Sequence, residues 1–228
     1  SKKQIEEGNF GQDIPYLLSN TPSTVVTSDA GAGVGYTGIR IRGVDPTRTN
    51  VTINGIPVND PEGHGVWWIN MPDFVSSVNS IQVQRGVGTS TNGAAAFGAS
   101  INMTTNQLNK KAYAEIANSY GSFNTWKNTI KAGTGLINNK FTFDTRISQI
   151  QSDGYIDRAS SDLKSYYLAG AYHGKKTVLR ANIFGGKEVT YQAWYGTPES
   201  KISGNTADIQ AYIDRNWIPQ DQADNLLN

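Results

Sequence analysis

Between residues 112 and 185 apolar and polar side chains alternate in five runs: Ala112 to Tyr120, Phe123 to Gly133, Lys140 to Gln151, Leu163 to His173 and Thr177 to Gly185. Alternation with period two predicts strands whose two faces meet different surroundings. In "KFTFDTRISQI" one face carries Phe141, Phe143 and Ile147, and the other carries Thr142, Asp144, Arg146 and Ser148. In "TVLRANIF" Leu179, Ala181 and Ile183 oppose Val178, Arg180 and Asn182. The separators "SYGSFN", "TGLINNK" and "YHGKKT" are tight, whereas "SDGYIDRASSD" and the stretch after Gly186 are longer. This predicts an antiparallel meander with short turns and growing loops. Runs near the roughly 9–11 residues that cross a bilayer, apolar side outward, suit a membrane wall. A soluble sandwich with one wet face gives the same alternation, so periodicity leaves both readings open.

Residues 1 to 107 follow a different pattern. Short helices are predicted at Ile14 to Leu18 and Asp73 to Val78, and strands at Gly38 to Val44, Asn79 to Gly86 and Ala99 to Thr105. In "NVTINGIPV" Asn54-Gly55 separates two β-branched runs, a strong hairpin signal. Between the last two strands, Gly86 to Ala99 is a glycine, serine and alanine tract that interrupts the alternation. The part after Glu188 is polar with isolated aromatics (Tyr191, Trp194, Tyr195, Tyr212, Trp217), and "TADIQAYIDRN" predicts a short helix with Thr206 as its N-cap.

Composition narrows the function classes. The 228 residues include 20 basic and 19 acidic side chains, a net charge of +1 without a cationic block, which argues against nucleic acid as a partner. Cysteine is absent, so disulfides and thiolate metal sites are excluded. No apolar run approaches the ~18 residues of a membrane helix, a test that strands escape. "GVGTSTNG" lacks the Gly-Lys-Ser/Thr ending of a phosphate-binding loop, and there is neither a G-x-S-x-G elbow nor an H-E-x-x-H motif. No catalytic residue, cofactor or metal site is therefore expected. His64, flanked by glycine and with only His173 elsewhere in the chain, is no metal centre.

The order of "PYLLSNTPSTVV", "IRIRGV", "NVTINGIPVND" and "SIQVQRGVGTSTNGAAAFGASINMTT", followed at once by "YAEIANSYGSFNT", resembles the plug domain and first wall strands of TonB-dependent outer-membrane receptors. The resemblance implies an α+β plug domain inside a transmembrane antiparallel β-barrel of about 22 strands, of which about five are present here. The plug would be residues 1–107, and residues 108–228 the first part of the barrel, ending in a long extracellular loop. Five strands in lipid leave an open edge, so the chain is expected to be one segment of a longer polypeptide that supplies the remaining wall.

Further expectations follow from the resemblance. Gly86 to Ala99 would be a plug loop threaded against the wall, where glycine permits close approach. Arg40, Arg42 and Arg85 would anchor the plug through carboxylates on later strands; loss of one partner of such a buried pair costs several kcal/mol. Surface exposure is the plain alternative for these arginines. Substrate would bind at the outward plug apex near Tyr36, His64, Trp67 and Trp68, where two adjacent tryptophans cannot both enter a small core. The implied function is active import of a scarce nutrient, leaning to a ferric siderophore or other iron chelate, across the outer membrane of a Gram-negative cell. TonB would pull on an energy-coupling segment ahead of the plug. The partners are then TonB, the nutrient, outer-membrane lipid and the rest of the barrel. A glycan or peptide importer working with a surface lipoprotein is the alternative within the family, and a non-transporting β-rich adhesin the alternative outside it.

Overall fold

The computed structural model describes residues 2–88, 96–105, 108–190 and 198–227. The chain forms two compact units, Ser1–Gln192 and Ala193–Asn228.

The amino-terminal part of the first unit opens with helices α1 (Lys2–Gly8) and α2 (Ile14–Leu17), then strands β1 (Thr24–Ser28) and β2 (Thr37–Ile41), which pair antiparallel. Its main sheet has β3 (Thr49–Ile53), β4 (Ile56–Pro57), β5 (Ser80–Arg85) and β6 (Ala99–Thr104) in the order β4-β3-β6-β5. β3 runs parallel to β6, with Val51 opposite Ile101, and every residue of β3 is buried, as suits an interior strand. The predicted hairpin forms with Ile53 opposite Ile56, and Asn54 and Gly55 both take positive φ (53° and 83°), the conformation of a type I′ turn. Ile39, Ile41, Val51, Phe74, Ile101 and Met103 lie in the core beneath.

One reading needs correcting here. The helix predicted at Asp73 to Val78 is a short 3-10 turn over Phe74–Ser77: Asp73 lies outside it in the left-handed region (φ 49°), and Val78 is already extended. Neither α1 nor β1 was legible as an element.

Half of the glycine-rich tract, residues 89–95, lies outside the described residues. Its ends do not. Antiparallel β5 and β6 flank it, and the Gly86 amide donates to the Gly98 carbonyl at 2.7 Å. A Cβ on Gly98 would lie 2.8 Å from the Arg48 carbonyl oxygen, so only glycine lets the returning chain pass. The described ends of the tract are thus joined by a backbone bond.

Next comes an antiparallel meander: β7 (Tyr113–Gly121), β8 (Thr125–Gly133), β9 (Phe141–Ser152), β10 (Ser161–His173) and β11 (Val178–Thr190), paired in chain order. The predicted strands match within three residues, except that β11 continues five residues past Gly185, through the Gly185-Gly186 pair.

The faces of this sheet are inverted relative to a soluble protein. Ile147 is 65% and Phe143 53% exposed, while Arg146 between them is 2% exposed. Ile116, Ile130, Ile147 and Tyr166 lie opposite one another across four strands and form one outward row. Phe141, Tyr172 and Leu179 form another, with the Phe141 and Tyr172 rings 5.3 Å apart. From Phe141 to Ile147 this band runs about 20 Å along β9. Beyond it Asn118, Asn128, Gln149, Lys164 and Lys187 form a polar row. The inward face buries Lys127, Thr129, Thr142, Arg146, Ser148 and Ser165 against the amino-terminal part.

The second unit holds α3 (Glu199–Ser203), α4 (Thr206–Asn216) and α5 (Gln220–Leu227) around Ile209, Ile213 and Ala223. The cap of α4 is Asn205, whose side chain accepts from the Ala207 and Asp208 amides, one residue before the Thr206 expected from sequence.

Candidate functional site

Burying cations on a strand face is unfavourable unless a counter-charge meets them. Here that charge is Asp73, fixed by its left-handed backbone at the start of the Phe74–Ser77 turn. Its carboxylate lies 3.0 Å from Lys127 Nζ and 3.4 Å from Arg146 Nη1, with all three side chains nearly sealed from solvent. Thr129 Oγ1 (2.7 Å), Ser76 Oγ (2.6 Å) and Ser148 Oγ also donate to it. Arg146 Nε donates to Ser77 at 2.8 Å, and its Nη1 to Ser148 and Ser165 at 2.7 and 2.9 Å. The sheet register makes the cage possible, since Thr129, Ser148 and Ser165 lie side by side on β8, β9 and β10. Burial pushes the Asp73 carboxyl up, but Lys127 and Arg146, helped by the serine donors, outweigh it and hold it below the usual carboxylate range.

Other contacts extend this seam. Tyr167 Oη donates to Thr105 at 2.9 Å, and the Phe74 ring lies 6.3 Å from Tyr167 and 5.0 Å from Phe184. At the end of the sheet carrying the β9–β10 loop, the Tyr155 amide donates to the Ala30 carbonyl at 2.8 Å. The loop between β1 and β2 therefore lies under residues 153–160. A small, partly open cavity of about 80 Å³ remains between α1, Val75–Asn79 and the inward face, where Tyr113 Oη donates to Asp144 at 2.9 Å and Lys131 meets Glu115 at 3.1 Å.

An α+β globule caged by the polar face of a meander that turns its isoleucines outward matches a known architecture. The family model for the TonB-dependent Receptor Plug Domain matches residues 1–100. Residues 1–100 are a TonB-dependent receptor plug. Solved structures agree with the fold. The siderophore receptor PirA from Acinetobacter baumannii is 17% identical with a TM-score of 0.65, over 84% of this chain and 31% of that one. The ferric citrate transporter FecA is 18% identical with a TM-score of 0.64, over 87% and 32%. The copper transporter OprC is 16% identical with a TM-score of 0.66, over 79% and 29%. The chain thus spans about a third of these proteins. No curated protein sequence matches it.

Three of the four residues expected at an apex lie together. Tyr36, Trp67 and Trp68 line a shallow groove of about 180 Å³ with Thr27, Asp29 and Thr37. Trp68 is 5% exposed and belongs to the plug core, whereas Trp67 is 60% exposed. His64 sits apart on an exposed loop, where its backbone carbonyl accepts from Asn59 Nδ2 at 2.8 Å.

The plug arginines Arg40, Arg42 and Arg85 are all exposed. Arg40 faces Asp45 at 3.8 Å, Arg85 donates to the Pro22 carbonyl at 3.2 Å, and Arg42 lies against Gly86. Among the described residues none pairs with a carboxylate on β7–β11; the partners expected for them belong to later strands.

The cage itself was missed by sequence reasoning, and its polarity is the reverse of the anchor expected there: a plug carboxylate is held by wall cations. The signal was present as Lys127 and Arg146, each on the face opposite exposed isoleucines and beside hydroxyl residues. A second buried plug carboxylate, Asp13, accepts from Thr37 Oγ1 at 2.8 Å. Burial pushes it up to about 7 against the Thr37 bond, and the nearby charge of Glu188 on β11 adds to the rise.

Proposed function

We propose that this chain is the plug and leading wall strands of an outer-membrane active transporter that takes up a ferric siderophore or similar iron chelate, with TonB supplying the pull from the periplasm. The observation that carries the transporter reading is the caged plug inside an inverted wall: the outward isoleucine and aromatic rows suit lipid, and the buried cations of β8 and β9 are spent on the plug. Support for iron comes from the neighbours, whose names include a siderophore receptor and a ferric citrate transporter. A copper transporter of similar fold keeps the metal cargo itself part of the test. The groove at Trp67 and Tyr36 offers the aromatic, partly polar surface that a planar chelate would contact, and Arg40, Arg42 and Arg85 are exposed, as contact with later strands requires.

A panel of ferric siderophores, haem, cobalamin, copper salts and oligosaccharides, titrated against the complete polypeptide by tryptophan fluorescence, tests this. A ferric chelate is expected to quench the signal, Trp67→Ala to weaken its binding about tenfold, and uptake to vanish in cells lacking TonB. Saturable binding of a glycan or peptide alone would replace the iron reading by the lipoprotein-assisted one. Release from outer membranes by salt alone would favour an adhesin.

A further inference from the structure

The Asp73 cage has a lid. Residues 9–11, just after α1, cross the Lys127 side chain. Lys127 Nζ lies 3.4 Å from the Asn9 carbonyl oxygen and 3.0 Å from Ser76 Oγ. Asn9 Nδ2 donates to that same Ser76 at 2.9 Å, so one hydroxyl ties the lid, the cation and, at 2.6 Å, Asp73 together. The next carbonyl, Phe10, accepts from Ser119 Oγ of β7 at 2.8 Å. Gly11 (φ 106°) lies flat on the Lys127 stem: a Cβ there would come 3.3 Å from Lys127 Cβ. The strap is held by two neutral side-chain hydrogen bonds, Asn9 to Ser76 and Ser119 to Phe10, and one long bond from the Lys127 ammonium, whereas the pair beneath it owes its strength to exclusion from water. Each such bond is individually weak, and an ion pair that is strong when sealed falls to a small interaction once hydrated.

We propose that Asn9–Gly11 is a peel-away strap over the Asp73–Lys127 pair, so that tension from the amino-terminal side removes the strap first and the water thereby admitted loosens the pair. Release of the plug then takes two ordered steps, and the strong contact is never pulled directly while dry. The residues assigned are Asn9 and Ser119 as ties, Ser76 as the shared hinge, and Lys127 as the group uncovered. The use of this order in uptake rests on the transport reading above; the order itself does not.

Optical-tweezer pulling from the amino-terminal end of the complete polypeptide, held in a bilayer without ligand, tests the sequence of events. The expected trace has a first, weaker step that frees about ten residues, roughly 35 Å of chain, and a second, reached once α2 and β1–β4 have been drawn out, that frees the Phe74–Ser77 turn. Asn9→Ala and Ser119→Ala are expected to lower the force of the first step alone, and Thr129→Ala, which touches the cage but not the strap, that of the second alone. Reductive methylation of Lys127 in the unpulled protein, followed by mass spectrometry, is expected to quicken about tenfold in Asn9→Ala/Ser119→Ala. A single rupture of the whole plug, or equal lowering of both steps by every variant, would overturn the proposal, as would unchanged Lys127 labelling. A polypeptide that shows both steps yet imports nothing would refute the transport reading and leave the strap standing.

Discussion

Asp73 of the plug and Lys127 of the second wall strand are joined at 3.0 Å, with side chains 1% and 3% exposed. Neither charge has access to solvent of its own, so each depends on the other and on Arg146.

Removing one member should therefore cost far more than removing a surface ion pair. Asp73→Asn leaves two buried cations without their counter-charge and is expected to destabilise the seated plug by about 3–5 kcal/mol. Replacing the cation too, as Asp73→Asn/Lys127→Met, is expected to recover a substantial part of that loss. Limited proteolysis of the plug in the intact barrel, together with denaturant unfolding, measures both; equal stability of single and double variants would contradict it.

Asp13 gives the seat a pH dependence of defined sign. Its folded value of about 7 stands above the ordinary 3.8, so the folded state holds this proton more tightly. The stability it contributes is fully present below about pH 4 and is lost as pH rises through about 7. Asp73 acts in the opposite sense, and only below the usual carboxylate range. Asp13→Asn, which keeps an acceptor for Thr37 Oγ1, is expected to raise plug stability at pH 8 by a few kcal/mol and to flatten the slope between pH 4 and 7. Unfolding midpoints across that range check it.

The outward rows predict a position-dependent tolerance to charge. Phe143→Arg places a guanidinium inside the apolar band, between Phe141 and Ile147, and is expected to cost about 2–4 kcal/mol and to lower the yield of assembled barrel. Asn128→Arg, in the polar row beyond the band, is expected to assemble normally. The heat-modifiable gel shift of the intact barrel distinguishes the two.

The wall was legible in the sequence because strand alternation is local: Phe141, Phe143 and Ile147 share a face whatever lies around them. Which face was inside was not local. It is decided by Asp73, some fifty to seventy residues earlier, which makes the polar side of β8 and β9 the buried one. The Asn54-Gly55 turn was legible for the same local reason. The Asp73 turn was misread because a left-handed aspartate resembles a helix start by composition, and α4 was capped one residue late because Asn205 and Thr206 are both good caps. Of the groove, the Trp67-Trp68 argument placed one ring inside and one outside. His64 was grouped with them by sequence proximity alone, and the loop held by Asn59 carries it elsewhere.

The central claim is that β7–β11 turn their apolar face to lipid and their polar face to the plug. Nitroxide labels placed one at a time at 143, 145, 147 and 149 of the complete protein in outer membranes, with collision rates for oxygen and for a water-soluble nickel complex, test it most directly. The account predicts high oxygen and low nickel contact at 143 and 147, with nickel contact rising at 149 in the polar row. Labels at 143 and 147 that collide freely with nickel, or that are shielded from both reagents, would contradict it.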